Sequence, residues 1–147
     1  MAALAGTHHR ANEDDGLERA LRVVGDRWTL LIVAALLPGP RRFNDLLSEV
    51  PGVASNVLTQ RLRQLEGERL VVAQRYSERP LRHEYELTEA GRTLSGVVRE
   101  IEAWGSARAG AGGQPAHAEC GTPLDVRWWC PTCERVVDDD EGSGTAV

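Results

Sequence analysis

All three cysteines lie near the carboxyl end of the chain, in two short motifs that share one spacing. His117 and Cys120 form the first motif, and Cys130 and Cys133 form the second, with two residues between the members of each pair. A turn of that length directs two side chains toward one point, and four such ligands complete a closed tetrahedral zinc site. We therefore expect a structural zinc ion bound by His117, Cys120, Cys130 and Cys133.

Other chemistries stay open for the same segment. Glu119, Asp125 or water could replace His117 as the fourth ligand, and zinc could be sensed instead of being structural. A reversible thiol switch between Cys130 and Cys133 would make the protein a redox-sensing regulator. A thioredoxin-like enzyme is disfavoured, because that motif lies between a strand and a long helix and no long helix can follow here.

A second set of polar side chains lies at residues 55–68, where the sequence predicts one helix. Its leucines form a narrow apolar stripe, and the opposite face carries amides, a hydroxyl and an arginine instead of the Glu–Lys pairs of a solvated helix. Amides and guanidinium groups are suited to base edges and phosphates. We expect Ser55 to cap this helix and the opposite face to contact bases; the outward residues are Asn56, Thr59, Gln60, Arg63 and Gln64, of which Gln64 is not a predicted contact.

The charge of the chain is unevenly distributed, although the net charge is −5. Between residues 39 and 82 there are eight arginines and five acidic residues, and all 17 basic residues of the chain are Arg. A local basic surface matters more than net charge for binding phosphates. The arginines expected on phosphates or in the minor groove are Arg41, Arg42, Arg61, Arg75, Arg79 and Arg82. For Arg61, on the flank of the helix, an ion pair with a glutamate is the alternative.

The order of predicted elements explains how these side chains are positioned. Helical patterns at 17–24 and 27–37 meet at Gly25-Asp26, where Asp26 caps the second helix. An extended piece at 41–43, a brief helix capped by Asn44, the polar helix, and a hairpin with a wing at 74–85 follow. Thr88 caps a long helix that ends at Gly105. This order predicts an α+β, mainly α fold: a winged helix-turn-helix with a two-stranded β-wing, plus a small C-terminal zinc-ribbon-like module.

The same patterns predict the organisation of the chain. We expect a flexible N-terminal tail at 1–16, the winged domain at 17–105, a linker at 106–114, the zinc-ribbon-like module at 115–137 and an acidic tail at 138–147. Within the module we expect a short strand across residues 124–129, with 135–137 beside it. The longest apolar run has eight residues, too few to span a membrane. Without a signal-peptide pattern, we expect a cytoplasmic protein with no membrane partner.

Several runs of sequence resemble the HxlR-type transcriptional regulators. The resemblance covers roughly residues 15–105 and implies a MarR-like winged-helix homodimer that binds a pseudo-palindromic operator. It also implies pairing through helix 17–24 and helix 88–105. Many members of this family carry a reactive cysteine just ahead of the first helix, and Asp15 occupies the matching position, so redox sensing through that site is excluded here. The runs that carry the resemblance are Leu17-Glu18-Arg19-Ala20-Leu21, Gly25-Asp26-Arg27-Trp28-Thr29-Leu30-Leu31-Ile32, Gly39-Pro40-Arg41-Arg42-Phe43-Asn44-Asp45-Leu46, Val57-Leu58-Thr59-Gln60-Arg61-Leu62-Arg63-Gln64-Leu65-Glu66 and Tyr85-Glu86-Leu87-Thr88-Glu89-Ala90-Gly91.

The expected function is therefore sequence-specific binding of double-stranded DNA by a homodimeric transcriptional regulator. An enzyme is not expected, because no histidine or acid in the motif could activate the hydroxyls of Ser55 and Thr59. The alternative is a protein-interaction adaptor that uses the arginine-rich face. A small-molecule effector, the operator sequence and the choice between activation and repression stay open.

Overall fold

The structure is a computed structural model that describes residues 16–78, 81–110 and 115–137. The chain divides between Val98 and Arg99 into two compact units. The elements are α1 (Gly16–Val24), α2 (Arg27–Leu36), β1 (Arg41–Arg42), α3 (Phe43–Glu49), α4 (Ser55–Gly67), β2 (Val71–Glu78), β3 (Leu81–Leu87), α5 (Glu89–Arg92), α6 (Ser95–Arg108), β4 (Trp128–Cys130) and β5 (Arg135–Val137).

The core of the first unit is built from the apolar stripes of α2, α3 and α4. The three leucines of α4 that are spaced for one helix face, Leu58, Leu62 and Leu65, are all buried, as the sequence predicts. Trp28 and Phe43 pack against this core and are partly buried, as expected of core residues. The remaining buried hydrophobic residues of the cluster are Ile32, Val33, Leu36, Leu46, Val50, Val53, Val71, Leu87 and Val98.

The junction between α1 and α2 is as tight as the Gly25-Asp26 pair predicts. The Gly25 N–H donates to Leu21 O at 2.8 Å, and a Cβ on Gly25 would lie 2.1 Å from that same oxygen. Asp26 then caps α2, because its Oδ1 accepts from the backbone N–H groups of Trp28 and Thr29 at 3.0 and 3.2 Å. The predicted cap is confirmed.

The sheet differs from the predicted two-stranded wing, because it has three strands in the order β1-β3-β2. Arg41 pairs with Tyr85 and Arg42 with Glu84, so the short extended piece fills the free edge of β3. Although β1 has only two residues, it supplies hydrogen-bond partners to this part of the β3 edge, which would otherwise be unpaired. The β2–β3 register shifts between Arg75 and Ser77, which marks a bulge in the wing.

Three predicted helix ends are wrong. Arg42, not Asn44, precedes α3, and the Asp45 carboxylate accepts from the Arg42 backbone N–H at 3.2 Å. Ser55 is the first residue of α4, and Ala54 occupies the cap position without a side-chain hydrogen bond. The carboxyl-terminal helix passes the predicted end at Gly105 and continues to Arg108, into the predicted linker.

The predicted single helix at 88–105 is in fact two helices. The Thr88 cap is confirmed, since its hydroxyl accepts from Gly91 N at 3.1 Å. The chain then tightens at Thr93 and Leu94, whose N–H groups bond three residues back, to the carbonyls of Ala90 and Gly91. The Thr93 hydroxyl also donates to Ala90 O at 2.6 Å, which competes with continuous helix.

The second unit contains two short antiparallel pairings. Strands β4 and β5 pair as the sequence predicts, whereas residues 124–127 form no strand. Ala116 makes an isolated bridge to Pro123. Of the tail predicted at 1–16, residues 1–15 lie outside the described residues, and Gly16 is the first residue of α1 instead. Residues 111–114 of the predicted linker and the predicted tail at 138–147 also lie outside the described residues. None of the helices described reaches the length and apolarity that crossing a bilayer requires.

Candidate nucleic-acid interface

Helix α4 turns a continuous polar face away from the core. Ser55, Asn56, Gln60 and Arg63 are exposed, and Thr59 is partly buried. The Thr59 hydroxyl donates to Ser55 O at 2.8 Å, four residues back in the same helix. The structure therefore brings five of the six contact residues predicted on this helix together on one accessible surface, and Arg61 is the exception.

Arg63 makes no ion pair with any residue that the structure describes. Its positive charge acts on the hydroxyl of Tyr85 on β3. Burial and the charge of Glu66 raise the pKa of this hydroxyl, and Arg63 opposes that rise. An exposed arginine without a carboxylate partner can take a new anionic or base partner without losing an old one. Among the residues described, Arg63 is thus well placed for an external contact.

Arg61 and Gln64 lie on the other flank of α4 and are engaged inside the unit. Arg61 Nε lies 3.2 Å from Asp26 Oδ1, although that nitrogen is buried and lacks hydrogen-bond alignment. Arg61 Nη1 donates to Gln64 Oε1 at 2.8 Å, and Gln64 Nε2 donates to Val23 O at 3.3 Å. The Thr29 hydroxyl, fully buried, donates to the second oxygen of Asp26.

This network ties α4 to the α1–α2 junction. The alternative reading of Arg61 as an intramolecular ion pair matches the structure, with Asp26 as the partner instead of a glutamate. The sequence identified Asp26 as a cap and Arg61 as a flank residue, but no local pattern relates two residues so far apart in the chain. Arg61 therefore orients the polar face of α4 and is not among the groups presented on it.

The arginines of β1 are also partnered. Arg41 Nε lies 3.1 Å from Glu49 Oε1 of α3, and Arg42 Nε lies 4.0 Å from Glu84 Oε1 of β3. Exposed ion pairs of this kind contribute little to stability, so a phosphate can compete for either guanidinium. Both residues precede the helix-turn-helix formed by α3 and α4, and their assignment to phosphates stays a prediction.

The wing supplies one further described arginine. Arg75 is exposed on β2, opposite His83 of β3 and next to the bulge. Arg79 lies outside the described residues. Arg82 is placed by its backbone pairing with Ser77, while its side chain lies outside the description.

Comparison with known proteins identifies this arrangement. Residues 23–111 match the model of the HxlR-like helix-turn-helix family. The chain belongs to the HxlR-like helix-turn-helix family. It is a transcriptional regulator with a helix-turn-helix DNA-binding fold, not an enzyme, and the predicted family is confirmed.

Relatives and solved structures agree with this membership. The uncharacterized HTH-type transcriptional regulator Rv3095 of Mycobacterium tuberculosis is 38% identical over 139 residues, covering 92% of this chain and 87% of the relative. Regulator YodB of Bacillus subtilis is 36% identical over 88 residues, covering 60% and 79%. The redox regulator HypR in its reduced form gives a TM-score of 0.60 at 33% identity, covering 65% of this chain and 94% of that one. Reduced YodB gives 0.56 at 34% identity, covering 66% and 95%.

The predicted metal ligands form two separate pairs in the second unit. His117 Nδ1 lies 3.3 Å from Cys120 Sγ, and the Cys133 N–H points to Cys130 Sγ at 3.4 Å. Hydrogen bonding by Cys133 lowers the pKa of the Cys130 thiol, and the Cys130 side chain raises the pKa of Cys133. Within residues 16–78, 81–110 and 115–137, no three His, Cys, Asp or Glu side chains converge on a point where they could share a metal ion.

The Asp26 network predicts a large effect of one substitution on stability. Asp26→Ala removes the α2 cap, which costs about 1 kcal/mol, and leaves Arg61 without its carboxylate, which adds about 1–3 kcal/mol. We expect urea unfolding to show a loss of about 2 kcal/mol or more, and a smaller loss for Asp26→Asn, which keeps a capping oxygen. Asp45→Ala, at the start of α3, is the matched control for a lost capping carboxylate alone. Equal unfolding midpoints for Asp26→Ala and the wild type would contradict the network.

Proposed function

We propose that this protein is a homodimeric, sequence-specific DNA-binding regulator that inserts α4 into the major groove of a pseudo-palindromic operator. The observation that carries the proposal is the exposed polar face of α4, which stands opposite its buried leucine stripe. The major groove accepts one α-helix, and in a helix-turn-helix the second helix enters it with its amino-terminal residues at the base edges. In this chain α3 and α4 form that pair.

The residue types on the face fit direct reading of bases. An amide such as that of Asn56 or Gln60 can bond adenine in two places at once, and the guanidinium of Arg63 can do the same with guanine. The hydroxyl of Thr59 is already bonded to Ser55 O, which leaves its methyl group and an oxygen lone pair for the DNA. Specific reading is therefore assigned mainly to Asn56, Gln60 and Arg63.

The wing and β1 are assigned to the DNA backbone. Arg75 is exposed beside the bulge of the wing, and we expect it to contact a phosphate or the adjacent minor groove, together with Arg79 and Arg82. Arg41 and Arg42 are assigned the same role on β1, which forms the opposite edge of the sheet from β2. Such contacts fix the protein on the duplex but carry no base sequence.

The homodimer is supported by apolar side chains left uncovered on two helices. On α1, Leu17 and Leu21 are 66% and 54% exposed, and on α6, Ile101 and Trp104 are 48% and 66% exposed. Each pair is spaced by one helical turn, so each helix presents an apolar stripe. A second copy of this chain is the proposed occupant, because a palindromic site needs two reading helices about 34 Å apart.

Substitutions on α4 test the reading face. We expect Gln60→Ala and Arg63→Ala each to cost about 1–3 kcal/mol on the selected operator and much less on unrelated DNA. Fluorescence anisotropy with both duplexes at one salt concentration measures the difference. Arg92→Ala is the charge-matched control, since Arg92 is held by Glu86 at 3.0 Å in the same unit.

Equal losses on both duplexes for Arg63→Ala would reduce its role to phosphate binding. An adaptor that binds acidic proteins would show weak binding to DNA that does not change with the sequence of the duplex. The proposed reading face is contradicted if Gln60→Ala and Arg63→Ala both lose equally on the two duplexes. It is also contradicted if the wild type binds DNA weakly and without regard to sequence.

The wing is tested by the salt dependence of binding. Arg75→Ala should weaken binding to operator and unrelated DNA alike, and lower the slope of log affinity against log salt by about one. Gln74→Ala, next to it on β2, should leave the slope unchanged, because Gln74 is neutral and bonds Glu86. An unchanged slope for Arg75→Ala would exclude a phosphate contact by this residue.

The dimer is tested on α1. Leu21→Asn should raise the dimer dissociation constant at least about tenfold, since burial of one leucine is worth about 1.5–3 kcal/mol. Sedimentation equilibrium measures it, with Leu31→Asn on α2 as the matched control for an exposed helical leucine. A wild type that sediments as a monomer, or a Leu21→Asn variant as dimeric as the wild type, would contradict this interface.

A further inference from the structure

The second unit contains one type of turn twice. In the first turn Ala116 bridges Pro123, and the His117 N–H donates to Thr122 O at 2.9 Å. The Gly121 N–H donates back to His117 O at 2.8 Å, and Gly121 has a φ of 68°. The chain thus reverses direction between His117 and Thr122.

The second turn reproduces the first at equivalent positions. Trp129 pairs with Val136, as Ala116 does with Pro123, and Cys130 pairs with Arg135, as His117 does with Thr122. Glu134, which corresponds to Gly121, has a φ of 51°. A positive φ is unfavourable for a residue with a side chain, and such strain persists where the surroundings require that conformation. The two turns therefore share one backbone geometry.

In both turns the first and fourth residues are metal-ligating types. The first turn places His117 and Cys120 there, with 3.3 Å between Nδ1 and Sγ. The second places Cys130 and Cys133 there, and the Cys133 N–H points to the Cys130 sulfur. Each turn thus carries a pair of potential zinc ligands at the same two positions.

No hydrophobic core holds this segment together. Within residues 115–137 no side chain is buried, and the two tryptophans, Trp128 and Trp129, are both exposed. Packing therefore cannot stabilise two ordered turns in a segment this short, whereas a bound metal can supply the folding free energy of a small module.

We propose that the two turns close on one zinc ion, with His117 and the thiolates of Cys120, Cys130 and Cys133 as ligands. In the described structure the two pairs do not share a point, so binding brings the turns together. Each thiol releases its proton to solvent as the Zn–S bond forms. A Cys130–Cys133 disulfide would use only one turn and leave the matching geometry of the other unexplained. This inference does not rest on DNA binding.

The test is a metal titration of the full-length chain. Protein purified under reducing conditions should contain one zinc ion per chain by mass spectrometry of the metal. After removal of the metal, Co²⁺ should give the absorption of a tetrahedral site with thiolate ligands. Since even substitutions around the ligands cost about 10–100-fold in metal affinity, Cys133→Ser should cost more than about a hundredfold.

A ligand exchange separates coordination from a merely structural role. His117→Cys should keep the metal and change the Co²⁺ spectrum toward four thiolates, whereas His117→Ala should weaken binding. Glu119→Gln and Asp125→Asn are the matched controls, and both should leave affinity and spectrum unchanged. A loss of binding in either control, with none in His117→Ala, would overturn His117 as the fourth ligand.

Two results would overturn the zinc site itself. The first is a reduced chain that gives no thiolate absorption with Co²⁺ and stays free of zinc. The second is full metal retention by Cys133→Ser. A chain that gives either result and also forms a Cys130–Cys133 disulfide under mild oxidation, mapped by peptide mass spectrometry, contains a thiol pair instead of a metal site.

Discussion

Burial of the leucine stripe of α4 is the interaction on which the proposed function depends. Leu58, Leu62 and Leu65 are almost completely removed from solvent against α2 and the strands behind it. Because side chains on a helix project in fixed directions, burying this stripe determines which residues point outward. Asn56, Gln60 and Arg63 are exposed for that reason, and the hydrophobic core thereby sets the chemistry of the surface.

A polar network restricts the rotation of α4 about its own axis more than packing alone does. Hydrophobic contact alone permits small rotations of a helix, whereas the Arg61–Asp26 ion pair and the Gln64–Val23 hydrogen bond fix one flank of α4. Asp26 also caps α2, so one carboxylate serves a helix end and the orientation of the neighbouring helix. Reading of bases requires side chains held in a defined position, and this network supplies part of that definition.

The sequence predicted what depends on local periodicity and missed what depends on distant contacts. The leucine spacing of α4, the Asp26 cap and the pairing of β4 with β5 are each encoded within a few residues. The pairing of β1 with β3 and the ion pair of Arg61 with Asp26 were missed, because each joins residues far apart in the chain. The sequence contains no periodic pattern that relates such residues. The interruption at Thr93 was also missed, because the apolar spacing continues through it while the hydrogen bonds do not. The two cysteine turns were predicted as motifs, but their shared backbone geometry required coordinates.

Selection of DNA sequences from a random pool by the purified protein is the decisive test of base reading by α4. We expect enrichment of one pseudo-palindrome whose half-sites are centred about one helical turn apart, about 10–10.5 base pairs, or a multiple of it. We also expect a Gln60→Ala, Arg63→Ala double variant to select a different or less defined half-site. A pool that stays random after repeated selection, or an identical motif from the double variant, would contradict reading of DNA by the outward face of α4.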